Sequence, residues 1–503
     1  MSIVSIWFLI FLAVFTLVYY LLPGKVQWIW LLLAGLVFYA LCSYGLLLAP
    51  VFVSLIVWIF GKQFETKKSR ILMIAELVLI IGTVVVLKYA GWFGTGWVNL
   101  LTAMNFGFAE SFLVPLGISY FSIMAISYSV DVYRGTIKAE KNPVRLLLFL
   151  TFFPVVTQGP ILRYQETITQ LCTWHRFSYT NLTRGIQRMI WGFFKKLVIA
   201  ERFVIVAAHL SDGWGNSNYS GFWALLGVFC YSFRVYMDFS GYMDIALGAA
   251  EILGIRLPEN FNHPYLAKTI SEFWRRWHIT LGAWLRDYVM YSFMMSGLAK
   301  SFTKKSKKKI GRKAATMIVT CVGTLLVWLV YALWHDLSLI FLVNGGFFAV
   351  LSILAITFEP LVKKFRKAAP GLTGSLPYRI FMVVRTQMLA FMGPYLVFVP
   401  TVKDGFLFVG RIFQGTKGAF IQGMATSEIS ILGLDIPDAV VLAGSVLIWF
   451  LVSRIHAKKD PRDLLAKMPL VPRWVILLLL IVLTVILGKY GGYDTQSFVY
   501  QSF

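Results

Sequence analysis

Apolar runs of about twenty residues recur along the whole chain, and this pattern limits the possible folds more than any other feature. A helix of that length crosses the roughly 30 Å hydrocarbon core of a bilayer. The first run begins at Ile3 and the last ends at Gly488. Hydrophobic residues make up 58% of the 503 positions and charged residues only 14%, which is typical of membrane proteins. We predict an all-α, polytopic integral membrane protein with about eleven to thirteen transmembrane helices.

The positive charge of the chain lies in short loops between the apolar runs. Lysine and arginine outnumber the acids and give a formal net charge of +24. The densest basic clusters are residues 61–70, 300–313, 363–367 and 454–462. Because basic loops resist translocation, we predict that these four lie in the cytosol and that the N-terminus lies outside. The charge is spread over loops and not gathered on one surface, so we predict no nucleic-acid partner.

The four cysteines are scattered singly. Cys42, Cys172, Cys230 and Cys321 form no CxxC motif and no Cys/His cluster. We therefore predict neither a disulfide framework nor a metal site. The first apolar run lacks a basic start and a small-residue cleavage site, which favours a retained span over a signal peptide.

Polar and charged side chains enter the apolar segments after Phe112. Ionisable groups at membrane depth usually face a cavity or a partner, so we place the functional core at residues 112–350. Residues 1–111 are predicted to be a transmembrane scaffold, and residues 351–503 to add further transmembrane helices. Within the core, residues 152–160 contain two prolines and a glycine, which predicts a broken helix that lines the working cavity.

Two aspartates of the core, Asp238 and Asp244, lie six positions apart and therefore on different sides of a helix. This spacing does not support a mechanism with paired carboxylates. The aspartates would instead pair with Arg234 or hold a polar cavity. The sequence has no GxSxG, P-loop or dinucleotide-binding motif, which argues against the soluble hydrolase, NTPase and Rossmann classes.

Residues 264–291 combine tryptophan, arginine and histidine at unusual density. On a helix, the residues that would share one face are Trp274, Trp277, His278, Leu281 and Leu285. Glu272 and Arg276 are spaced as an ion pair. We predict a re-entrant or interfacial helix at the cytosolic boundary; the simpler alternative is a surface helix anchored by its tryptophans. The density of aromatic and basic residues favours contact with a phosphate-bearing donor such as coenzyme A.

His335 stands between two apolar runs, which predicts a position deep in the membrane. Tyr331 lies one turn before it, so both side chains can face one cavity. A neutral imidazole with a pKa of about 6.5 is a suitable general base for a hydroxyl nucleophile. The alternative is a hydrogen-bonded structural histidine. Asp336 points to a different face and is not an obvious orienting partner.

The ordered motifs of the core resemble those of the membrane-bound O-acyltransferase family. Its signature region is similar to residues 239–244 (FSGYMD), 258–265 (PENFNHPY), 273–278 (FWRRWH) and 285–288 (LRDY), and its catalytic histidine site to residues 333–335 (LWH). Residues 115–120 (PLGISY), 131–135 (DVYRG), 159–164 (GPILRY) and the aromatic ending resemble the alginate O-acetyltransferase-like branch. That branch is related to the teichoic acid D-alanyl transferases.

The resemblance implies a ring of transmembrane helices with a cytosolic funnel for an acyl thioester and an outer funnel for the acceptor. His335 would be the general base where the funnels meet, and His278 the second family histidine near the donor. From the cluster of aromatic and basic residues and the surroundings of His335, we predict that the substrate-binding residues are Trp274, Arg275, Arg276, Trp277, Arg286, Tyr331 and Asn344. The arginines would meet the phosphates, and Tyr331 or Asn344 would stabilise the oxyanion. The family commonly has glycine where Asp336 stands, and an acid there would alter the histidine's pKa or the acceptor's fit.

The implied reaction moves an acetyl group from acetyl-CoA to a hydroxyl, for O-acetylation of an extracellular or cell-wall polysaccharide. The implied partners are acyl-CoA or an acyl carrier protein inside, and an SGNH-type acetyltransferase with its glycan acceptor outside. No tightly bound cofactor is expected, and the implied location is the bacterial plasma membrane. Three alternatives stay open: D-alanyl transfer to teichoic acid from a carrier protein, a transporter or flippase, and a non-catalytic scaffold of a secretion complex.

Overall fold

The computed structural model describes residues 2–89, 99, 115–212, 221–398, 401–412 and 432–490. Over these residues the regular structure is helical and contains no β-strand, in agreement with the predicted all-α class. The chain forms two compact units. The first comprises Met1–Gly192 and Tyr242–Pro258, and the second Phe193–Gly241 and Glu259–Phe503.

The first unit contains the N-terminal helices. They are α1 (Ile6–Leu21), α2 (Gln27–Ser43), α3 (Leu48–Thr66), α4 (Arg70–Lys88), α5 (Ile118–Arg134), α6 (Pro143–Thr151), α7 (Tyr164–Cys172) and α8 (Tyr179–Phe193). Serine side chains cap two of them: Ser5 accepts a hydrogen bond from the backbone N–H of Phe8, and Ser69 from that of Leu72. Such caps satisfy N–H groups that no carbonyl of the helix can reach, and so they fix where a helix begins.

Residues 152–160 interrupt the helical order of the first unit, as their prolines predict. Helix α6 ends at Thr151, and the chain continues as buried turns. Gly117, just before α5, lies against this segment with a φ of 67°. A side chain at Gly117 would collide with the carbonyl oxygen of Val156, so the contact requires glycine. The cavity described below belongs to the second unit and is not lined by residues 152–160, contrary to our expectation.

The second unit contains the other α-helices. One of them, Gly221–Ile252, continues into the first unit with its last residues. These helices are α9 (Glu201–Asp212), α10 (Gly221–Ile252), α11 (Ile270–Arg276), α12 (Ile279–Trp284), α13 (Tyr291–Met294), α14 (Gly297–His335), α15 (Leu339–Ala368), α16 (Pro370–Gly374), α17 (Leu376–Phe398), α18 (Val402–Ile412), α19 (Ile436–His456), α20 (Pro461–Lys467) and α21 (Leu470–Leu487). Only three residues separate α14 from α15, so these two long helices form an antiparallel hairpin.

Seven described helices are long and apolar enough to cross a membrane. They are Leu48–Thr66, Arg70–Lys88, Gly297–His335, Leu339–Ala368, Leu376–Val397, Ile436–His456 and Leu470–Leu487, and two shorter apolar helices, Ile6–Leu21 and Gln27–Cys42, resemble them in composition. In α19 and α21 only 6% of the apolar window is buried inside the protein, so most of these side chains are available to lipid. The chain is therefore a multi-pass membrane protein. The total of about eleven to thirteen spans stays a prediction.

Two aspartates of the core, one buried and one partly buried, are held in ion pairs. In the second unit, Lys196 Nζ lies 2.5 Å from Asp238 Oδ1. In the first unit, Arg188 Nε donates to Asp244 Oδ1 at 3.0 Å. A buried charge is tolerated only beside an opposite partner, so these pairs explain the aspartates without a catalytic role. The partners are Lys196 and Arg188, and the expected pairing with Arg234 is wrong.

Candidate active site

The hairpin of α14 and α15 places His335 beside a cavity in the second unit. His335 is the last residue of α14, and only 4% of its surface is exposed. Its ring contacts that of Tyr331, one turn earlier, with centroids 4.6 Å apart. On its other side it stacks on Phe341 at the start of α15, with centroids 5.4 Å apart. Tyr331 and His335 line the same cavity, as their spacing predicts.

The cavity has a volume of about 50 Å³, and most of its wall is aromatic or aliphatic. The lining residues with polar side-chain groups are Tyr231, Ser232, Tyr265, Trp274, Trp277, Tyr331, His335 and Asn344. Helix α17 closes part of the wall through Phe391 and Pro394. Because most of the wall is apolar, each polar group inside the cavity interacts more strongly with a ligand than it would in bulk water.

Trp274 holds its indole among other aromatic rings of the second unit. The centroid of Trp274 lies 4.8 Å from that of Trp328, 5.7 Å from Tyr331 and 4.8 Å from Phe348. Its Nε1–H group is buried and donates to no described residue. The N–H of Trp328, in contrast, donates to Ser352 Oγ at 3.1 Å. A buried donor without an acceptor costs about 1–3 kcal/mol, so the indole of Trp274 is suited to a ligand that accepts its hydrogen bond.

Asn344 presents an acceptor to the cavity. Its Nδ2 donates to the carbonyl oxygen of Gly393 at 2.6 Å. Because a carbonyl oxygen can only accept, this bond identifies which amide atom is the nitrogen. The Oδ1 atom is buried and accepts no hydrogen bond from the described residues. The amide nitrogen has a second N–H group, so the expected role of Asn344 as a donor to an oxyanion stays a prediction beside that of its free oxygen as an acceptor.

The segment around His278 is not the single helix from which we predicted a shared face. Helix α11 ends before Trp277, and His278 adopts a left-handed conformation with a φ of 45° before α12 begins. The backbone N–H of Ile279 donates to the carbonyl oxygen of Asn260 at 3.0 Å. In a continuous helix, the N–H of Ile279 would instead bond a carbonyl group of the preceding turn. The predicted helical face is therefore wrong.

His278 is held as a neutral ring with a defined tautomer. Its Nδ1 lies 3.1 Å from Oδ1 of Asn260. The same oxygen accepts from the backbone N–H and the hydroxyl of Thr280, at 3.1 and 2.9 Å, so it can only act as an acceptor. The proton of the neutral ring is therefore on Nδ1, and the lone pair is on Nε2. Burial lowers the pKa of His278 to about 3.

Both predicted histidines contact the ring of Trp334. The centroid of Trp334 is 4.8 Å from that of His335 and 6.2 Å from that of His278. His278 itself is not among the residues that line the cavity. The structure thus brings His278 close to the site through one intervening indole, and it places His335 directly at the cavity.

The predicted arginines lie outside the cavity. Arg276 Nη2 is 2.8 Å from Glu272 Oε1, which confirms the predicted pair. Arg286 Nε is 3.0 Å from Asp287 Oδ1. Arg275 is exposed. Among the predicted binding residues, Trp274, Trp277, Tyr331 and Asn344 line the cavity, and contact between the arginines and a donor stays a prediction.

Asn260 is a site residue that the sequence reasoning did not single out. It orients His278 and fixes the break between α11 and α12 through one side-chain oxygen and one backbone oxygen. It belongs to residues 258–265, which were noted only as a motif. A buried asparagine in a loop without regular structure usually satisfies several backbone donors, and that signal pointed to a structural role for this side chain.

These side chains supply a base, a donor and an acceptor around one small space. Among the described residues, no three His, Cys, Asp or Glu side chains are grouped so that they could hold a metal ion. The arrangement suits removal of a proton from a hydroxyl by His335 and stabilisation of negative charge by the N–H of Trp274.

The sequence of this chain matches a protein-family model over residues 140–399. The model describes MBOAT, the membrane-bound O-acyltransferase family. The matched region is just over half of the chain, and it includes His278, His335 and all the residues that line the cavity.

Named relatives of this chain act on different polymers. It is 34% identical over 357 residues to a probable alginate O-acetylase AlgI of Azotobacter vinelandii, which is 68% of this chain and 66% of that protein. It is 28% identical over 376 residues to a peptidoglycan O-acetyltransferase of Helicobacter pylori, and the aligned region covers 68% of this chain and 67% of that protein. It is 32% identical over 253 residues to a teichoic acid D-alanyltransferase of Bacillus subtilis, and the aligned region covers 50% of this chain and 61% of that protein. The chain thus spans about two thirds or less of the length of these relatives.

Proposed function

The chain belongs to the membrane-bound O-acyltransferase family, and we propose that it is an O-acetyltransferase. It takes an acetyl group from a cytosolic thioester, acetyl-CoA, and delivers it to a hydroxyl for O-acetylation of an extracellular or cell-wall polysaccharide. The names of the alginate and peptidoglycan relatives support such an acceptor. The observation that carries the proposal is the position of a buried histidine, His335, in a small apolar cavity.

His335 acts as the general base in this proposal. Its imidazole removes the proton of the acceptor hydroxyl as the oxygen attacks the thioester carbonyl and a C–O bond forms. The tetrahedral intermediate then collapses, the C–S bond breaks, and the imidazolium returns its proton to the leaving thiolate. The stacked ring of Phe341 and the edge of Tyr331 hold the imidazole in one orientation.

Trp274 stabilises the oxyanion of that intermediate. Its buried N–H lies in the wall of the same cavity and has no acceptor among the described residues. A donor that is already oriented does not have to reorganise when negative charge develops, and one such donor typically contributes about 10² to 10³ in kcat.

Asn344 positions the acceptor. Its amide nitrogen is held by Gly393, and its free oxygen can accept a hydrogen bond from the hydroxyl nucleophile or from a neighbouring group of the acceptor. We therefore assign Asn344 to the acceptor side and not to the oxyanion. His278 is a positioning residue in this proposal, because it does not line the cavity and its ring contacts Trp334, which in turn contacts His335.

The size of the cavity supports a short acyl group. A space of about 50 Å³ between aromatic walls suits a short acyl group better than a long hydrocarbon chain. The acceptor hydroxyl is carried by the glycan or by an SGNH-type acetyltransferase that passes the group to the glycan. The family match favours this transfer over the transporter and flippase alternatives.

D-alanyl transfer from a carrier protein is the second candidate function. The similarity to the teichoic acid D-alanyltransferase favours it. The oxygen of Asn344 also favours it, because a D-alanyl group carries an ammonium that can donate a hydrogen bond and an acetyl group does not. The two donors are distinguished by direct comparison in one assay.

The proposal is tested with purified protein in proteoliposomes that receive acetyl-CoA labelled on the acetyl group. We expect wild type to release or transfer label, and His335→Ala to lose nearly all of this activity. His456→Ala is the matched control, because that histidine ends α19 and does not line the cavity. If wild type and His335→Ala leave acetyl-CoA equally untouched while a D-alanyl carrier serves as donor, the acetyl assignment is wrong and the second candidate holds.

A further inference from the structure

A second and larger cavity lies on the basic part of α14, in the second unit. Its volume is about 470 Å³. Its polar lining consists of Lys300, Lys304, Lys307 and Arg312 together with the hydroxyls of Thr303 and Thr316. No acidic residue is among the described residues of this lining. We call it the basic groove. A concave surface of one charge sign concentrates ligands of the opposite sign, so the groove suits a group with several negative charges.

The basic groove exists because α14 is bent at Gly311. This glycine has a φ of 81° and a ψ of 156°, which is outside the helical region and is open almost only to glycine. Lys304 lies before the bend and Arg312 and Thr316 after it. A straight helix would space these residues along a rod and could not enclose a ligand between them. The bend therefore brings cations from two helical arms around one space.

Lysines lie on more than one face of the arm that precedes the bend. Lys300, Lys304 and Lys307 are spaced by four and three residues and share one face. Leu298 and Phe302 lie one turn apart on another face and are 81% and 41% exposed. Lys305 and Lys309 continue the face of Leu298 and Phe302, so what distinguishes the first three lysines is that they line the groove.

We propose that the basic groove binds the phosphates of the nucleotide part of the acyl donor, a nucleotide of the coenzyme A type. This inference rests on the proposed transfer from a cytosolic thioester. The nucleotide of coenzyme A carries a diphosphate and a phosphomonoester, and the monoester alone has a charge of about −1.5 to −2 near pH 7. Four cations complement that charge, and a groove of about 470 Å³ accommodates a nucleotide and not merely a single phosphate.

Two further observations support this occupant. Arg276 and Arg286, which the sequence suggested as phosphate ligands, are already paired with acids, whereas the groove lining contains no acid among the residues described. Val319 of the groove precedes His335 on the same helix by about 24 Å along the axis. A donor whose phosphates lie in the groove therefore needs a long arm before its thioester, and pantetheine is such an arm.

The test compares two triple variants that remove the same charge from the same helical arm. The first changes the groove residues, Lys300→Gln, Lys304→Gln and Lys307→Gln. The second is the matched control, Lys305→Gln, Lys308→Gln and Lys309→Gln, whose residues do not line the groove. Each protein is reconstituted in phosphatidylcholine vesicles. The readouts are binding of coenzyme A by calorimetry, and KM and kcat with acetyl-CoA and with S-acetylpantetheine, which lacks the phosphates.

We expect the groove triple variant to weaken coenzyme A binding and to raise the KM for acetyl-CoA by about tenfold, since exposed ion pairs contribute only modestly each. Its kinetics with S-acetylpantetheine and the behaviour of the control triple variant should stay unchanged. Equal effects of both triple variants would show that surface charge alone attracts the donor, and no effect of either would show that the groove does not bind it; both results overturn the proposal.

Phosphate in a lipid headgroup is the other source of the same chemistry. The kinetic measurements are therefore repeated in vesicles that contain phosphatidylglycerol. If the groove triple variant differs from wild type only in these vesicles, lipid phosphate occupies the groove and the nucleotide assignment is wrong. Coenzyme A binding is measured without any acyl transfer. If transfer fails for wild type, the proposed function fails, and the binding data still decide about the groove.

Discussion

The indoles of Trp274 and Trp328 pack against each other, yet their N–H groups have different surroundings. That of Trp328 donates to Ser352, and that of Trp274 is buried in the wall of the His335 cavity without an acceptor among the described residues. We expect Trp274→Phe to lower kcat by about 10² to 10³ with little change in KM, because it removes a donor to the oxyanion and keeps most of the ring. The measurement is acetyl transfer under saturating donor.

Trp328→Phe is the control for that experiment. It removes the bond to Ser352 and should cost about 1 kcal/mol of folding free energy, with kcat nearly unchanged. A thermal unfolding curve separates the two effects. If both tryptophan variants lose kcat to the same extent, packing of the aromatic cluster and not the hydrogen bond explains the loss.

His278 makes folding stability depend on pH. Burial lowers its pKa to about 3, whereas an exposed histidine titrates at about 6.5. Between these values the unfolded chain binds a proton that the folded protein does not bind, so stability rises with pH and is lost as the pH falls below about 6.5. At pH 5 the loss is about 2 kcal/mol for this side chain.

The expected consequence is measured by thermal unfolding in detergent at pH 7 and pH 5. The Tm of wild type should fall more between these pH values than that of His278→Gln, which cannot titrate. The comparison uses the difference within each protein, so a general loss of stability in the variant does not affect it. An equal fall in both proteins would show that His278 is not the group that binds the proton.

At the scale of single elements, the start of α5 depends on a glycine. Gly117 has a φ of 67°, and a side chain there would collide with the carbonyl oxygen of Val156. We expect Gly117→Ala to destabilise the protein by about 1–3 kcal/mol, since both the backbone conformation and the contact oppose a Cβ atom. Gly82→Ala is the control in α4, where a Cβ atom meets no neighbour, and it should be neutral or stabilising by about 0.5–1 kcal/mol. Thermal unfolding of both variants checks the sign.

The elements that sequence reasoning predicted correctly are those whose cause is local. Apolar runs form long helices, and α6 ends just before the prolines of residues 152–160. Tyr331 and His335, which are one turn apart, line one cavity. Each of these outcomes depends on residues within a few turns of one another. Helical periodicity and the conformational limits of proline are therefore sufficient to predict them.

The errors arose where distant residues decide the outcome. The periodicity around His278 suggested one helix, but the backbone of Asn260 binds the N–H of Ile279 and breaks it. The sequence likewise contains no sign that the carbonyl oxygen of Gly393, on α17, accepts one of the two N–H groups of Asn344. Neither interaction can be predicted from the local pattern of the sequence, because the partners lie 19 and 49 positions away.

At the scale of the whole molecule, the basic loops are consistent with helix ends that alternate between the two sides of the membrane. Helix α15 ends at the cluster of residues 363–367, α17 leads away from that side, and α19 ends at the cluster of residues 454–462. If basic loops stay in the cytosol, the end of α17 and the start of α19 lie outside. The basic groove then lies on the cytosolic side, where a thioester donor is made.

Cysteine labelling tests this orientation. The four native cysteines are first replaced by serine, and a single cysteine is introduced by Lys364→Cys in the basic cluster after α15 or by Lys403→Cys just beyond the end of α17. Both positions are exposed. In intact cells, a maleimide that cannot cross the membrane should label Lys403→Cys at once and Lys364→Cys only after permeabilisation. The reverse pattern would place the basic groove outside the cell, and donor entry from the cytosol through it would then be impossible whatever the chemistry at His335.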